Sequence, residues 1–380
     1  MLIKNCRIVY EDKCEKGAVS LNSSKIEAVN PEDYIDDEVI DAEGLYLAPG
    51  FIDIHIHGAG GYDTMDGNYE ALNNISKTIV NSGTTSYLPT TMTCDMEDIK
   101  KAISAIAEAV NRGTEGANVL GAHLEGPFIS LFAIGAQNPK FIKWPSIETF
   151  VEIVQDKISY IKAVTLAPEI EGAKELIKFL CKNNIVVSAG HTKATYKETI
   201  EGIEWGISHA THLFNAMTGF QHREPGVVGA IFDTDITTEA ICDGIHIAYP
   251  SIRVALKQKT TDNMILITDA MSACGMAEGT YSLGGQAVFV KEGAARLENG
   301  ALAGSILTLD KAIKNVLDNT KYELYEIVKM ATSNAARHCG VEYRKGKIKE
   351  GYDADLVLFD ENIDIKLVIV NGKIVVNNLE

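Results

Sequence analysis

Phe51-Ile52-Asp53-Ile54-His55-Ile56-His57 is a short apolar run in which two histidines stand two residues apart. Side chains alternate faces along a strand, so His55 and His57 point the same way and can reach one metal ion. Seven more short apolar runs follow, over residues 84–89, 119–125, 163–167, 186–191, 209–214, 240–246 and 264–269. Stretches of helical periodicity fill the gaps, among them 96–110, 172–182 and 195–205, with Asp95 and Thr192 as expected caps. Eight alternations of strand and helix give an α/β class and predict a (β/α)8 TIM barrel over residues 51–340.

Working outward, residues 1–50 read as short β-rich runs separated by polar turns. Residues 341–380 resemble them, with Asn371-Gly372 as a hairpin turn. The two chain ends are expected to build one small β-sandwich-like domain. The Gly-rich stretch 279–304 reads as a hairpin insertion after the eighth run, and Ser305 as the cap of the helix behind it.

Lys and Arg number 35 and Asp and Glu 52 among 380 residues, a formal charge of −17, which argues against a nucleic-acid partner. Apolar residues make up 46% and charged residues 23%, the composition of an ordinary folded protein. The seven cysteines form no CxxC pair and suit a reducing compartment, and no apolar run approaches the length of a membrane span. A cytoplasmic location without a membrane partner is the expectation.

Barrel enzymes place their chemistry at the C-terminal ends of the strands. His55, His57, His123, His191, His209, His212 and His246 all fall in or at the end of an expected strand, together with Glu125 and Asp269. One histidine in such a place is usually a core residue; several converging with carboxylates form a metal site. Glu125, His191 and His212 suffice for a catalytic ion with an open position for water, and His55, His57 and Asp269 can add a second. His123 reads as a supporting partner one layer deeper, and His209, three residues before His212, as structural. Imidazole and carboxylate donors admit Zn, Fe, Co, Ni and Mn. Zinc is the first choice, with one or two ions per subunit.

The blocks His123-Leu124-Glu125-Gly126-Pro127-Phe128, Gly190-His191-Thr192, Thr211-His212-Leu213-Phe214-Asn215-Ala216-Met217, Arg223-Glu224-Pro225-Gly226, Asp243-Gly244-Ile245-His246 and Thr268-Asp269-Ala270-Met271 occur in this order after the His-x-His run. Through them the chain resembles the N-acetylglucosamine-6-phosphate deacetylase family of the amidohydrolase superfamily. The resemblance implies an amidohydrolase-type barrel that hydrolyses the acetamide of N-acetylglucosamine 6-phosphate to glucosamine 6-phosphate and acetate. It implies Glu125, His191 and His212 as principal metal ligands, Asp269 as catalytic acid and base, and His246 as a contact of the acetyl oxygen. It further implies Arg223 as a phosphate ligand, Ala136, Gln137, Asn215, Ala216 and Asp243 as substrate-binding positions, and a homodimer whose neighbouring loop completes the pocket.

The loop 129–139 is more apolar than is usual in that family, and Gln137 stands where a histidine is common; its amide is expected to hydrogen-bond a sugar hydroxyl. The fourth run carries no lysine that could bridge two metals as a carbamate, which sets aside the dihydroorotase-like branch. Backbone N–H groups at Asn215-Ala216 and at Leu302-Ala303-Gly304, ahead of the Ser305 helix, are expected to finish the phosphate cradle. Competing readings are an N-acetylgalactosamine-6-phosphate deacetylase, another amidase or deaminase of the superfamily, and a non-catalytic scaffold. The intact donor set argues against the last.

Overall fold

The computed structural model describes residues 1–32 and 38–379; residues 33–37 of the N-terminal unit and residue 380 of the C-terminal unit lie outside the described residues. Eight parallel strands carry the middle of the chain. They are β1 Phe51–Ile56, β2 Thr84–Pro89, β3 Ala122–Glu125, β4 Ile161–Leu166, β5 Val186–Ala189, β6 His209–Ala210, β7 Thr237–Ile241 and β8 Met264–Ile267. Strands β3 to β8 pair in chain order, with Glu125 opposite Thr165 and Thr165 opposite Ser188. Strand β1 pairs with β2, and two parallel bridges, Thr90 to His123 and Ile56 to Ala270, close the circle. Closure removes both sheet edges and gathers the C-terminal strand ends on one rim.

Parallel strands covered by helices are near-continuously apolar, and β8, Met-Ile-Leu-Ile, is buried throughout. Against that background Asp53, His55, His123, Glu125, His209 and Glu239 are conspicuous, because each is a fully buried polar side chain within a strand. The surrounding helices follow from apolar spacing. In Met96–Arg112 the Asp95 side chain accepts the Glu97 N–H at 3.0 Å, and Ile99, Ile103 and Ile106 fall on one fully buried face. Each such side chain contributes roughly 1.5–3 kcal/mol on burial.

Two expected caps are corrected. The helix Tyr196–Trp205 is capped by Thr195, whose hydroxyl accepts the Glu198 N–H while the Glu198 carboxylate accepts the Thr195 N–H. Thr192 instead donates to Glu169 at 2.5 Å and accepts the Ala194 N–H. Ser305 does not start a helix: the next one is Leu309–Asn319 with Thr308 at its N-cap, and Ser305 ties its hydroxyl to the Thr268 carbonyl at 2.6 Å. Short side chains competing for nearby backbone groups mark turns as readily as caps.

The chain ends form one mixed sheet. Residues Tyr46–Pro49 and Leu356–Phe359 pair antiparallel across the two termini, with Leu2–Val9, Cys14–Asn22, Lys25–Val29 and Val39–Asp41 on one side and Ile365–Val370 and Lys373–Asn377 on the other. Ile3, Ile8, Val19, Leu47, Leu356, Leu358 and Leu367 form its own buried cluster. The stretch after β8 makes three antiparallel strands, Gly279–Leu283, Gln286–Lys291 and Ala294–Leu297, rather than a single hairpin. Among the described residues no helix is long and apolar enough to cross a membrane, and all seven cysteines are free.

Candidate metal centre and active site

Four imidazoles meet at the C-terminal rim, and each is aimed by what its outer nitrogen touches. His57 Nδ1 lies 3.1 Å from the Thr90 carbonyl, His191 Nδ1 2.9 Å from the Ala133 carbonyl, and His212 Nδ1 3.1 Å from the Asn215 carbonyl. His55 Nδ1 lies 2.9 Å from a carboxylate oxygen of Glu239. Carbonyl and carboxylate oxygens only accept, so every Nδ1 carries a proton and every Nε2 is the nitrogen left facing inward, where it can offer a lone pair to a bound cation.

Those lone pairs converge on Glu125 and Asp269. Glu125 Oε1 is 3.1 Å from both His191 Nε2 and His212 Nε2, which are themselves 3.2 Å apart. His57 Nε2 is 3.2 Å from Asp269 Oδ1 and 3.4 Å from Glu125 Oε2. His55 Nε2 is 3.5 Å from Glu125 Oε1 and 3.6 Å from Asp269 Oδ1, and it is a buried ring nitrogen with no hydrogen-bond partner. Acceptors facing acceptors in a buried place call for cations between them, so the donor set fits divalent metal. Glu125, His191 and His212 form one such group, and His55, His57 and Glu125 another. Burial works to raise the Glu125 carboxyl, but its imidazole neighbours, His55 and His191 first and then His212, hold it well below the ordinary range. Asp269 is lowered for the same reason, with His57 its chief partner.

Three of the candidate ligands stand just past their strands in the left-handed backbone region: His191 at φ 48°, His212 at φ 30° and Asp269 at φ 49°. Side-chain-bearing residues rarely adopt it, at on the order of 1–3 kcal/mol each, and hold it where neighbours over-determine the turn. Here Glu169 accepts from the Thr192 hydroxyl and the Lys193 N–H, Glu239 accepts the His212 N–H at 3.0 Å, and the Asp269 N–H bonds the His55 carbonyl at 2.9 Å.

Above the imidazoles lies a cavity of about 220 Å³. Ala136, Gln137, Asn215, Ala216, His246, Leu302 and Gly304 line it, with Met92 and Leu283 from the surrounding loops. His246 sits in the loop after β7 rather than on a strand, oriented by Asp243, whose Oδ2 is 2.6 Å from Nδ1 and whose Oδ1 accepts the His246 N–H. Burial works to raise the Asp243 carboxyl, but the His246 contact outweighs it and holds the group below the ordinary range.

Several expected contacts take a different form. Gln137 is buried and its amide is committed at both ends: Nε2 donates to Glu125 Oε2 at 2.7 Å and Oε1 accepts the Thr93 N–H at 2.7 Å, so it braces the metal carboxylate. Two backbone donors of the expected cradle are already engaged, Asn215 N–H with the His212 carbonyl and Ala303 N–H with the Ala295 carbonyl. Arg223 is exposed and lies outside the cavity lining, while its neighbour Glu224 accepts the Tyr196 N–H at 3.0 Å. His123 has both ring nitrogens occupied, by the Ile54 carbonyl and the Thr165 hydroxyl, and burial pushes its pKa down to about 3. It is a neutral brace. His209 bonds Thr237 and Glu239 away from the cavity.

Glu239 is the residue that sequence reading missed. A charged residue inside a central parallel strand, Thr237-Thr238-Glu239-Ala240-Ile241, was the available signal.

Residues 46–375 match the model of the Amidohydrolase family. The chain is 41% identical over 336 residues to the N-acetylglucosamine-6-phosphate deacetylase of Lysinibacillus sphaericus, covering 88% of this chain and 87% of the relative. It is 35% identical over 337 residues to the N-acetylgalactosamine-6-phosphate deacetylase of Escherichia coli O157:H7, covering 88% and 89%. The crystal structure of N-acetylglucosamine-6-phosphate deacetylase from Pasteurella multocida superposes with a TM-score of 0.93 at 33% identity, over 98% of each chain.

Proposed function

The chain belongs to the amidohydrolase family, and from that premise we propose that it hydrolyses the acetamide of N-acetyl-D-glucosamine 6-phosphate to D-glucosamine 6-phosphate and acetate. It is a hydrolase acting on the linear amide of a sugar phosphate. The observation that carries the reading is the convergence of four Nε2 lone pairs with Glu125 and Asp269 beneath a sugar-sized cavity.

Glu125, His191 and His212 would hold one divalent ion, and His55 and His57, with Glu125 and Asp269 beside them, a second, with zinc the first choice before iron, cobalt, nickel or manganese. When bound, such an ion supplies an acidified water and a Lewis acid for the acetyl oxygen. Asp269 accepts the proton of the attacking water and returns it to the departing nitrogen, which makes the amine a competent leaving group. His246 donates from Nε2 to the acetyl oxygen as that atom gains charge. Asp243, 2.6 Å from Nδ1, fixes the ring so that Nε2 faces the cavity. Gln137 fixes the Glu125 carboxylate.

The phosphate presents a second problem. The lining residues of the cavity include neither Lys nor Arg, and Arg223 is exposed. We propose a homodimer, as the resemblance implies, in which the partner's Arg223 completes the phosphate site. Guanidinium is suited to the role by its paired charge-assisted hydrogen bonds. Free cysteines are consistent with a cytoplasmic setting.

A galactosamine epimer remains the second reading, on the 35% identity to the Escherichia coli enzyme. The test is acetate release by metal-loaded protein from N-acetylglucosamine 6-phosphate, its galactosamine epimer and unphosphorylated N-acetylglucosamine. Preference for the first is expected; preference for the epimer would reassign the substrate, and equal turnover with and without phosphate would remove the phosphate site.

A further inference from the structure

Glu239 has no part in the reaction as derived above, yet it is fully buried directly under the metal centre. We infer that Glu239 is the positioning residue that commits this chain to a second divalent ion, acting through His55; the inference rests on reading the rim cluster as a metal centre.

Three observations carry it. First, the other three imidazoles lean on neutral backbone carbonyls, of Thr90, Ala133 and Asn215, whereas His55 leans on a carboxylate. A carboxylate behind a histidine makes its far nitrogen a stronger donor and fixes the ring, an effect worth roughly 10–100-fold in metal affinity.

Second, His55 Nε2 lacks a hydrogen-bond partner while facing oxygens of Glu125 and Asp269 at 3.5 and 3.6 Å. With the proton held on Nδ1, three acceptors face one another, and a cation satisfies all three.

Third, Glu239 brings a carboxylate into the barrel, and among the described residues no Lys or Arg meets it, only the histidine rings of His55 and His209. Its Oε1 meets His209 Nε2 at 3.4 Å, and His209 Nδ1 lies 2.6 Å from the Thr237 hydroxyl, a neutral group. A buried charge needs compensation. His55 leads from this carboxylate to the rim, where a second dication supplies it.

The test is metal stoichiometry and affinity, by elemental analysis and by calorimetric titration of the metal-stripped chain with Zn²⁺. Wild type is expected to bind two ions. In Glu239→Gln the amide oxygen can still accept the His55 Nδ1–H and the His212 N–H, so the hydrogen-bond frame survives and the charge is lost. That variant is expected to bind the first ion as wild type does and the second at least about tenfold more weakly. His209→Gln leaves the Glu239 to His55 contact in place and is expected to keep both ions. Should Glu239→Gln fail to fold, Glu239→Asp withdraws the carboxylate by one methylene from both His55 and the His212 N–H and is expected to weaken the second ion more than the first. Two ions held with wild-type affinity by the folded Glu239 variant overturn the inference. So does a wild-type chain that binds one ion only and still releases acetate, a result that leaves the proposed reaction standing.

Discussion

Asp269 is held in the left-handed backbone region by its own N–H on the His55 carbonyl, and its carboxyl, lowered by His57 and its imidazole neighbours, enters the site ionised. A base that must later act as an acid cannot be replaced by an amide. Asp269→Asn should therefore keep the fold and the Glu125, His191, His212 ion while kcat falls by on the order of 10²–10⁴-fold. The check is kcat beside metal content; a rate near wild type in metal-loaded Asp269→Asn would remove the proton-transfer role. At this scale the candidate ligands were legible because few side-chain types bind metal and these fall in, at or just past strand ends. The acceptors that aim them were not, since the carbonyls of Thr90, Ala133 and Asn215 belong to the backbone and leave no mark in the residue identities. Gln137 was legible as a pocket residue, but its grip on Glu125 depends on how the loop folds back over the strand end.

Elements position the site through their ends. Strand β6 is only His209–Ala210, and the turn that follows, not the strand, presents His212. Periodicity marks an apolar run but not where pairing starts and stops, which is why the sixth run, 209–214, reads longer than its strand and the seventh, 240–246, begins inside Thr237–Ile241 and runs past it. Threonines are ambiguous in the same way: Thr195 caps a helix and Thr192 secures the His191 turn through Glu169. The two roles separate by substitution. Thr195→Ala should lower stability by about 1 kcal/mol in urea unfolding with acetate release unchanged. Equal midpoints for Thr195→Ala and wild type would show that the capping box adds nothing.

At the scale of the molecule, eight strand-helix alternations and two β-rich ends were readable from the chain, because a barrel repeats one pattern and the terminal sheet shows short runs with an Asn-Gly turn. How the phosphate is held was not readable, and the described residues that line the cavity offer it neither Lys nor Arg. Phe132 and Phe220 are 80% and 62% exposed, and Arg223 stands near Phe220 in the sequence, outside its own cavity. If Arg223 acts across a homodimer, a heterodimer of Asp269→Asn and Arg223→Ala chains regains one complete site, and co-expression with random pairing should restore about a quarter of wild-type activity from two nearly inactive parents. Failure of the mixed dimer to regain activity would place Arg223 on its own chain's site or outside the reaction. The central claim is that these converging donors make the chain a metal-dependent sugar-phosphate deacetylase. The most direct measurement is acetate release from N-acetylglucosamine 6-phosphate by chelator-stripped protein, before and after a divalent ion is returned. The account predicts negligible release without metal and recovery on adding Zn²⁺ or another first-row dication; undiminished release by the stripped protein would contradict it.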